Sequence, residues 1–220
     1  SFSASMRPMS AVKLVQAVVD YVQKSHERFV PGCRFTVIGA HIDATPQGKL
    51  RKANCQIVFR VSPQVANLGG ALFGGSVSSI TDIVTSALLW ACEFYVQARH
   101  QKSQPGRIPS VAYTVSTSLN VDYISAARIG DLVMIDVSVE KFTKSLAFTY
   151  SNFYAVKSDE DEKCMEKGEI LFRAGHEKYV LKGRRLTREL MPEKYRSAWD
   201  AMIKCAHESA QNKNLVYSKL

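Results

Sequence analysis

Apolar positions along the chain switch between two periods. Val12, Val15, Val18, Val19 and Val22 share one side of a 3.6-residue repeat, which predicts an amphipathic helix over 10–27, ended by Pro31-Gly32. The stretches 34–44, with Phe35 and Val37, and 54–61, with Ile57, Phe59 and Val61, alternate in the manner of strands around a turn at Thr45-Pro46-Gln47-Gly48. A long apolar run follows from Gly74 to Tyr95. Within it Val77, Ile80, Val84, Leu88 and Ala91 keep the three-and-four spacing of a buried helix face. Beyond a basic Pro- and Gly-containing loop over 99–109, strand periodicity returns at 111–123, 132–142, 146–156 and 165–181. Lys144-Ser145 marks one turn between these strands, and the acidic tip SDEDEK, 158–163, marks another. A terminal helix is predicted over 186–210, with Pro192 in its first turn.

One long helix after a hairpin, followed by antiparallel strands, is an α+β order that a single curved sheet wrapped around one central helix satisfies. The expected division is an N-terminal helical extension over 1–32, a central domain over 33–181, and a basic helical C-terminal extension over 182–220.

Composition narrows the class. Five cysteines, Cys33, Cys55, Cys92, Cys164 and Cys205, are scattered without a CxxC pair, which argues against a disulfide framework or a zinc site and for a reducing compartment. His41, His100, His176 and His207 show no metal-ligand spacing, so no metal and no separate cofactor is expected. Polar interruption of the central run by Asp82 and several serines argues against a membrane span. The formal charge of +9 is uneven: residues 181–220 carry nine Lys or Arg against four Asp or Glu. Such asymmetry suits contact with nucleic acid or another acidic surface, although a solvated face reads the same way. The Ser-rich start, with Arg7 and Lys13 before the first acid at Asp20, resembles the region of an organellar cleavage site. A trimmed sequence would look the same. The mitochondrial matrix is therefore the expected location and the cytoplasm the alternative.

The candidate chemistry lies at the head of the central helix. Gly69-Gly70 and Gly74-Gly75 open the stretch, leaving the first N–H groups of a helix available to an anionic partner. Eight residues on stands Asp82, an acid among Ile80, Ile83 and Val84, where a carboxylate needs water or a donor. A glycine pair before a helix also serves as a plain tight turn, Asn67 as a turn residue, and Ser116 as a satisfied strand hydroxyl.

These residues resemble those of the hotdog-fold acyl-CoA thioesterases, in the branch of the phenylacetate-degradation and thioesterase superfamily member 2 proteins. The family pattern N-x-x-G-x-x-H-G-G followed by an acid is met by Asn67, Gly70, Gly74, Gly75 and Asp82. Tyr123 to Asp131 (YISAARIGD) is similar to the family's Y-x-x-P-A-R-x-G-D, with Ala126 in place of proline. Ser145-Leu146-Ala147-Phe148 and Gly175-His176 resemble later strand landmarks. The resemblance implies a hotdog fold acting as a homodimer on an acyl-CoA substrate, with coenzyme A present only as part of that substrate. It makes Asp82 the general base or nucleophile, the Gly74 N–H the thioester-oxygen donor, Asn67 a polarising or water-holding group, and Ser116 a helper of the acid. Phe73 and Gly75 would border the substrate, and Arg128, Lys141 and Lys144 are candidates for its phosphates. Phe73 stands where the family has histidine, which opens the alternative of a catalytically lapsed scaffold in a large mitochondrial assembly, protein or ribonucleoprotein.

Gly74 and Asp82 lie roughly 12 Å apart along one helix axis. Both need to reach within about 3 Å of the reacting group or its water. One chain cannot achieve this, whereas two antiparallel helices across a two-fold axis can.

Overall fold

The computed structural model describes residues 9–45, 49–101, 110–143, 145–158 and 165–211. The elements run α1 (Met9–Ser25), β1 (Thr36–Ala44), β2 (Leu50–Arg60), α2 (Gly74–Gln101), β3 (Ser110–Tyr123), β4 (Leu132–Phe142), β5 (Leu146–Ser158), β6 (Met165–Thr187) and α3 (Glu193–Gln211). Six strands form one antiparallel sheet in the order β1-β2-β4-β5-β6-β3. It curves around α2, as the alternation of its strands requires: Val133, Ile135, Val137 and Val139 of β4 and Ala147, Thr149, Ser151 and Phe153 of β5 all turn inward and are buried.

The expected stripe of α2, Val77, Ile80, Val84, Leu88 and Ala91, is fully buried. So are Ile83, Ala87, Leu89 and Phe94 around it, because α1 and α3 cover the helix side that the sheet leaves open. By length and composition Gly74–Arg99 could cross a membrane, but 67% of its most apolar window is enclosed by the rest of the protein. Enclosure on most sides explains the near-continuous apolar composition. Trp199 of α3 meets Phe94 edge-on at 5.1 Å, and Tyr21 of α1 stacks on Trp90 at 5.7 Å. The terminal helices thus complete the core.

Several boundaries differ from the sequence reading. The helix α2 runs on to Gln101, into the stretch read as loop, and 102–109 lie outside the described residues, as do the turn residues 46–48, Lys144 and most of the acidic tip. Strand β6 continues to Thr187, past the expected end of the central domain at 181, because Arg185, Leu186 and Thr187 pair with Ala112, Val111 and Ser110 of β3. Gly183, at φ 73°, allows the bend that carries the strand there. The helix expected from 186 begins at Glu193, with Pro192 just ahead of its first turn. Residues 182–187 are therefore part of the sheet.

Candidate functional site

The two segments that carried the resemblance meet in space and brace the entry to α2. Ala71 and Arg128 form an antiparallel bridge. Ile129 donates its N–H to Gly70 O at 3.0 Å, and Leu72 donates to Ala127 O at 2.7 Å. Asp131 closes the loop by accepting the Arg128 N–H on Oδ2 at 2.7 Å. On the other side, Asn67 Oδ1 accepts from Gly69 N at 2.9 Å and Ala71 N at 3.2 Å, an Asx turn. The turn role and a substrate role are compatible in Asn67, because its amide Nδ2 makes no hydrogen bond among the described residues. Gly70 sits at φ 74° in open space, the nearest atom to a Cβ built there being 3.9 Å away in Ile129. Gly70→Ala should therefore cost about 1–2 kcal/mol through backbone strain alone, seen as a lower thermal midpoint. An unchanged midpoint would show that the loop does not depend on this conformation.

At the helix start, the Phe73 carbonyl accepts from Ser76 N and Val77 N, while the N–H groups of Gly74 and Gly75 find no acceptor among the described residues. They are the open donors expected of a helix N-terminus. Tyr123 donates its hydroxyl to Gly74 O at 2.9 Å and lies against the glycine, where a Cβ would be 3.1 Å from the phenol oxygen. The Phe73 ring covers Gly75, where a Cβ would meet a ring carbon at 2.6 Å. A side chain at either position would have to push an aromatic ring aside. Leu68, Phe73, Tyr123, Ile124 and Ile129 leave an exposed apolar rim on this side.

Asp82 is found about two helical turns further along α2, in a four-residue cluster. Lys178 on β6 donates Nζ to Asp82 Oδ1 at 2.7 Å and lies 3.4 Å from Ser116 Oγ on β3. His176, also on β6, is 2.9 Å from Ser116 Oγ through Nε2 and 2.7 Å from Thr85 Oγ1 of α2 through Nδ1. Thr85 donates its own proton to Thr81 O at 2.7 Å. It must then accept from His176 Nδ1–H, so that Nε2 is bare and accepts the Ser116 proton. The imidazole is neutral in this arrangement. Burial and the adjacent Lys178 ammonium drive its pKa down to about 4, with Asp82 opposing them. For Asp82 burial acts upward, but the Lys178 ammonium and its hydrogen bond, with help from His176, outweigh it and hold the carboxyl below its ordinary range.

The cluster leaves one oxygen free. Every contact to Asp82 from Lys178, Ser116, Ser86 and His176 falls on Oδ1, and Oδ2 accepts nothing among the described residues. The Asp82 side chain is 42% exposed, whereas that of Lys178 is 5% exposed. The charge pair is thus anchored from inside and open from outside.

Sequence reasoning placed Asp82 and Ser116 but missed Lys178, and it left His176 as a landmark without a role. A signal was present. Phe172, Ala174, His176 and Lys178 alternate as the inward face of β6, so the strand pattern puts an imidazole and an ammonium at core positions that ordinarily hold apolar side chains. Arg128 stands on the rim beside the Gly70 loop, exposed. Lys141 does not join these residues: it lines a separate cleft at the far end of α2. Lys144 lies outside the described residues.

Residues 69–162 match the family model of the thioesterase superfamily. Among solved structures the chain is similar to thioesterase superfamily member 2 from Mus musculus, at 20% identity over 81% of this chain and 100% of that one, with a TM-score of 0.50. It is also similar to zebra fish thioesterase superfamily member 2, at 21% identity over 80% and 100% of the two chains with a TM-score of 0.45. A hypothetical thioesterase from Streptococcus pneumoniae, solved with coenzyme A, aligns at 11% identity over 65% and 86% with a TM-score of 0.43. A comparison with curated proteins finds no match. The mouse likeness bears on the fold, which is the hotdog arrangement of a curved sheet around a central helix.

Proposed function

We propose that this hotdog domain, whose residues 69–162 match the thioesterase superfamily model, hydrolyses an acyl-CoA thioester with Asp82 as the group that directs water. The observation that carries this reading is the free Oδ2 of an exposed carboxylate whose Oδ1 is fixed by Lys178. A water held on Oδ2 attacks the thioester carbon and gives its proton to Asp82. The C–S bond then breaks and the departing thiolate takes that proton. Ser116, whose own proton is committed to His176 Nε2, offers lone pairs to the same water. Negative charge on the carbonyl oxygen needs a donor, and the open N–H of Gly74 suits it. Asn67 Nδ2 can add a second. Phe73, Gly75 and Arg128 border the acyl and phosphate ends of the substrate.

The donor and the base come from different copies in this reading. Strand β3 is the last in the sheet order, so one of its edges has no strand beside it among the described residues, and Tyr113, Val115 and Tyr123 are exposed along it. A 14-residue edge of this kind favours continuation by a second copy. That would bring the two α2 helices side by side.

A second reading, a lapsed enzyme serving as a structural subunit of a large mitochondrial assembly, is favoured by one observation: the Phe73 ring over Gly75. It places apolar bulk at the helix start where the thioester oxygen needs access. The basic C-terminal region supports it less than its charge count suggests. Arg185 pairs with Glu93 at 3.0 Å and Arg188 with Asp200 at 2.7 Å, so neither is free for phosphate.

Release of free thiol from acyl-CoA of short to long chain tests the choice. Turnover by the purified protein, reduced about 100-fold in kcat by Ser116→Ala, supports the enzyme; absence of turnover at every chain length leaves the scaffold. In the scaffold case, the double variant Arg184→Glu/Lys204→Glu, which reverses two exposed charges and leaves the sheet and core intact, should loosen a salt-sensitive large complex, and sedimentation of the unaltered protein as a small dimer would dismiss that idea.

A further inference from the structure

The sheet splits at the C-terminal end of α2. The pairing of β5 with β6 reaches Leu146 opposite Tyr179 and ends on a last hydrogen bond from Val180 N to Ser145 O, while β6 continues beside β3 alone as far as Thr187. Between the ends of β2 and β4 on one side and Val180 and Arg185 on the other, a cleft of about 870 Å³ opens onto the last turns of α2. That volume lies within the range of small-molecule sites, about 300–1,000 Å³. Cys92 stands ten residues past Asp82, roughly 15 Å along the helix. The cleft is therefore separate from the carboxylate cluster.

Its interior and its rim differ in chemistry. Cys92, Ala112 and Val139 form a floor of small, buried, apolar side chains, and Val96, Leu50 and Phe142 form partly exposed apolar walls. Four cations, Lys49, Arg51, Lys141 and Arg185, line it against two acids, Glu93 and Glu140. The acid at the helix is already engaged: Glu93 accepts from Arg185 at 3.0 Å and from Ala112 N at 2.9 Å. Glu140 accepts from Ser138 Oγ at 2.7 Å, and Arg51 stands 4.0 Å from Asp43. Lys49 and Lys141 have no ion-pair partner among the described residues. Glu140 keeps its charge, since its partner is a neutral hydroxyl, so Lys49 and Lys141 set against it leave one net positive charge at the rim, and an apolar slot below it matches a ligand with an aliphatic tail and one negative head.

We propose that this cleft binds a single-chain aliphatic carboxylate, a free fatty acid, with its tail along Val96 and Val139 and its carboxylate at Lys49 and Lys141. The proposal requires no hydrolysis and stands whether or not the chain turns over thioesters.

The test is calorimetric titration of the full chain with laurate, with dodecanol, which has the same tail and no charge, and with lauroyl-CoA. Laurate should bind more tightly than dodecanol. The double variant Lys49→Glu/Lys141→Glu changes two exposed side chains. It should weaken laurate about tenfold or more, as loss of charge-assisted bonds implies, and leave dodecanol unchanged. Val96→Trp, checked for an unaltered fold by circular dichroism, should abolish binding of both. Binding of lauroyl-CoA that Asp82→Asn alters and Val96→Trp does not would belong to the other site, and laurate should show the reverse. The proposal is overturned if laurate does not bind, if dodecanol binds equally well, or if a folded Val96→Trp protein or the charge-reversed variant retains full laurate affinity.

Discussion

Asp82→Asn should lower kcat/KM for acyl-CoA hydrolysis by about 10²–10⁴, the usual worth of a positioned acid or base. The substitution keeps the shape of the side chain and one acceptor oxygen, but it removes the charge that takes the proton from water. It also leaves the Lys178 ammonium, 5% exposed, without its counter-charge. Breaking a fully buried pair costs about 3–5 kcal/mol; with Asp82 more than a third open to solvent, about 1–2 kcal/mol is the appropriate expectation. A double variant separates the two effects. Asp82→Asn/Lys178→Met removes the stranded ammonium and should recover most of the stability seen in urea unfolding, while activity stays lost. Full turnover by folded Asp82→Asn protein would remove Asp82 from the chemistry. A double variant no more stable than the single one would show that the pair is not coupled as described.

Acid should destabilise the fold through His176 before it reaches Asp82. In the unfolded chain this imidazole takes up a proton as pH falls through its ordinary value of 6.5, whereas in the fold it stays neutral down to about 4. The unfolded state therefore binds more protons across that interval. The stability present above pH 6.5 is lost progressively on acidification, by about 3 kcal/mol at pH 4. The cause is geometric: a protonated ring would sit in the core beside Lys178, with Thr85 able to accept one proton and Ser116 required to give up its own as a donor. Asp82 acts in a lower window, since its depressed affinity for protons defers its loss to pH below the ordinary carboxylate value. Urea unfolding at several pH values measures this. His176→Gln should flatten the decline between pH 6.5 and 4; an equally steep decline in that variant would assign it to other groups.

How far the chain could be read without coordinates depended on whether a feature is local. The stripe Val77, Ile80, Val84, Leu88 and Ala91 announces a buried helix because the period belongs to one segment, and each strand shows its own alternation. Asp82 stood out because an acid in such a stripe contradicts its neighbours. The end of β6 was misplaced for the opposite reason. Nothing in Arg185-Leu186-Thr187 resembles a strand, and it becomes one because Ala112, Val111 and Ser110, some seventy positions earlier, pair with it.

The amino-acid order alone determined a helix enclosed by antiparallel strands, an open N-terminus at Gly74 and a carboxylate to be accounted for at Asp82, since these follow from spacing and from the cost of burying charge. Tertiary structure alone decided what surrounds the carboxylate. Lys178 and His176 on β6 and Ser116 on β3 reach it only because the sheet curls around α2. That curl gives Oδ1 an ammonium and leaves Oδ2 open. The same curl parts β5 from β6 at Tyr179, and the cleft beneath Lys49 and Lys141 exists because strands that run together in the chain diverge in space.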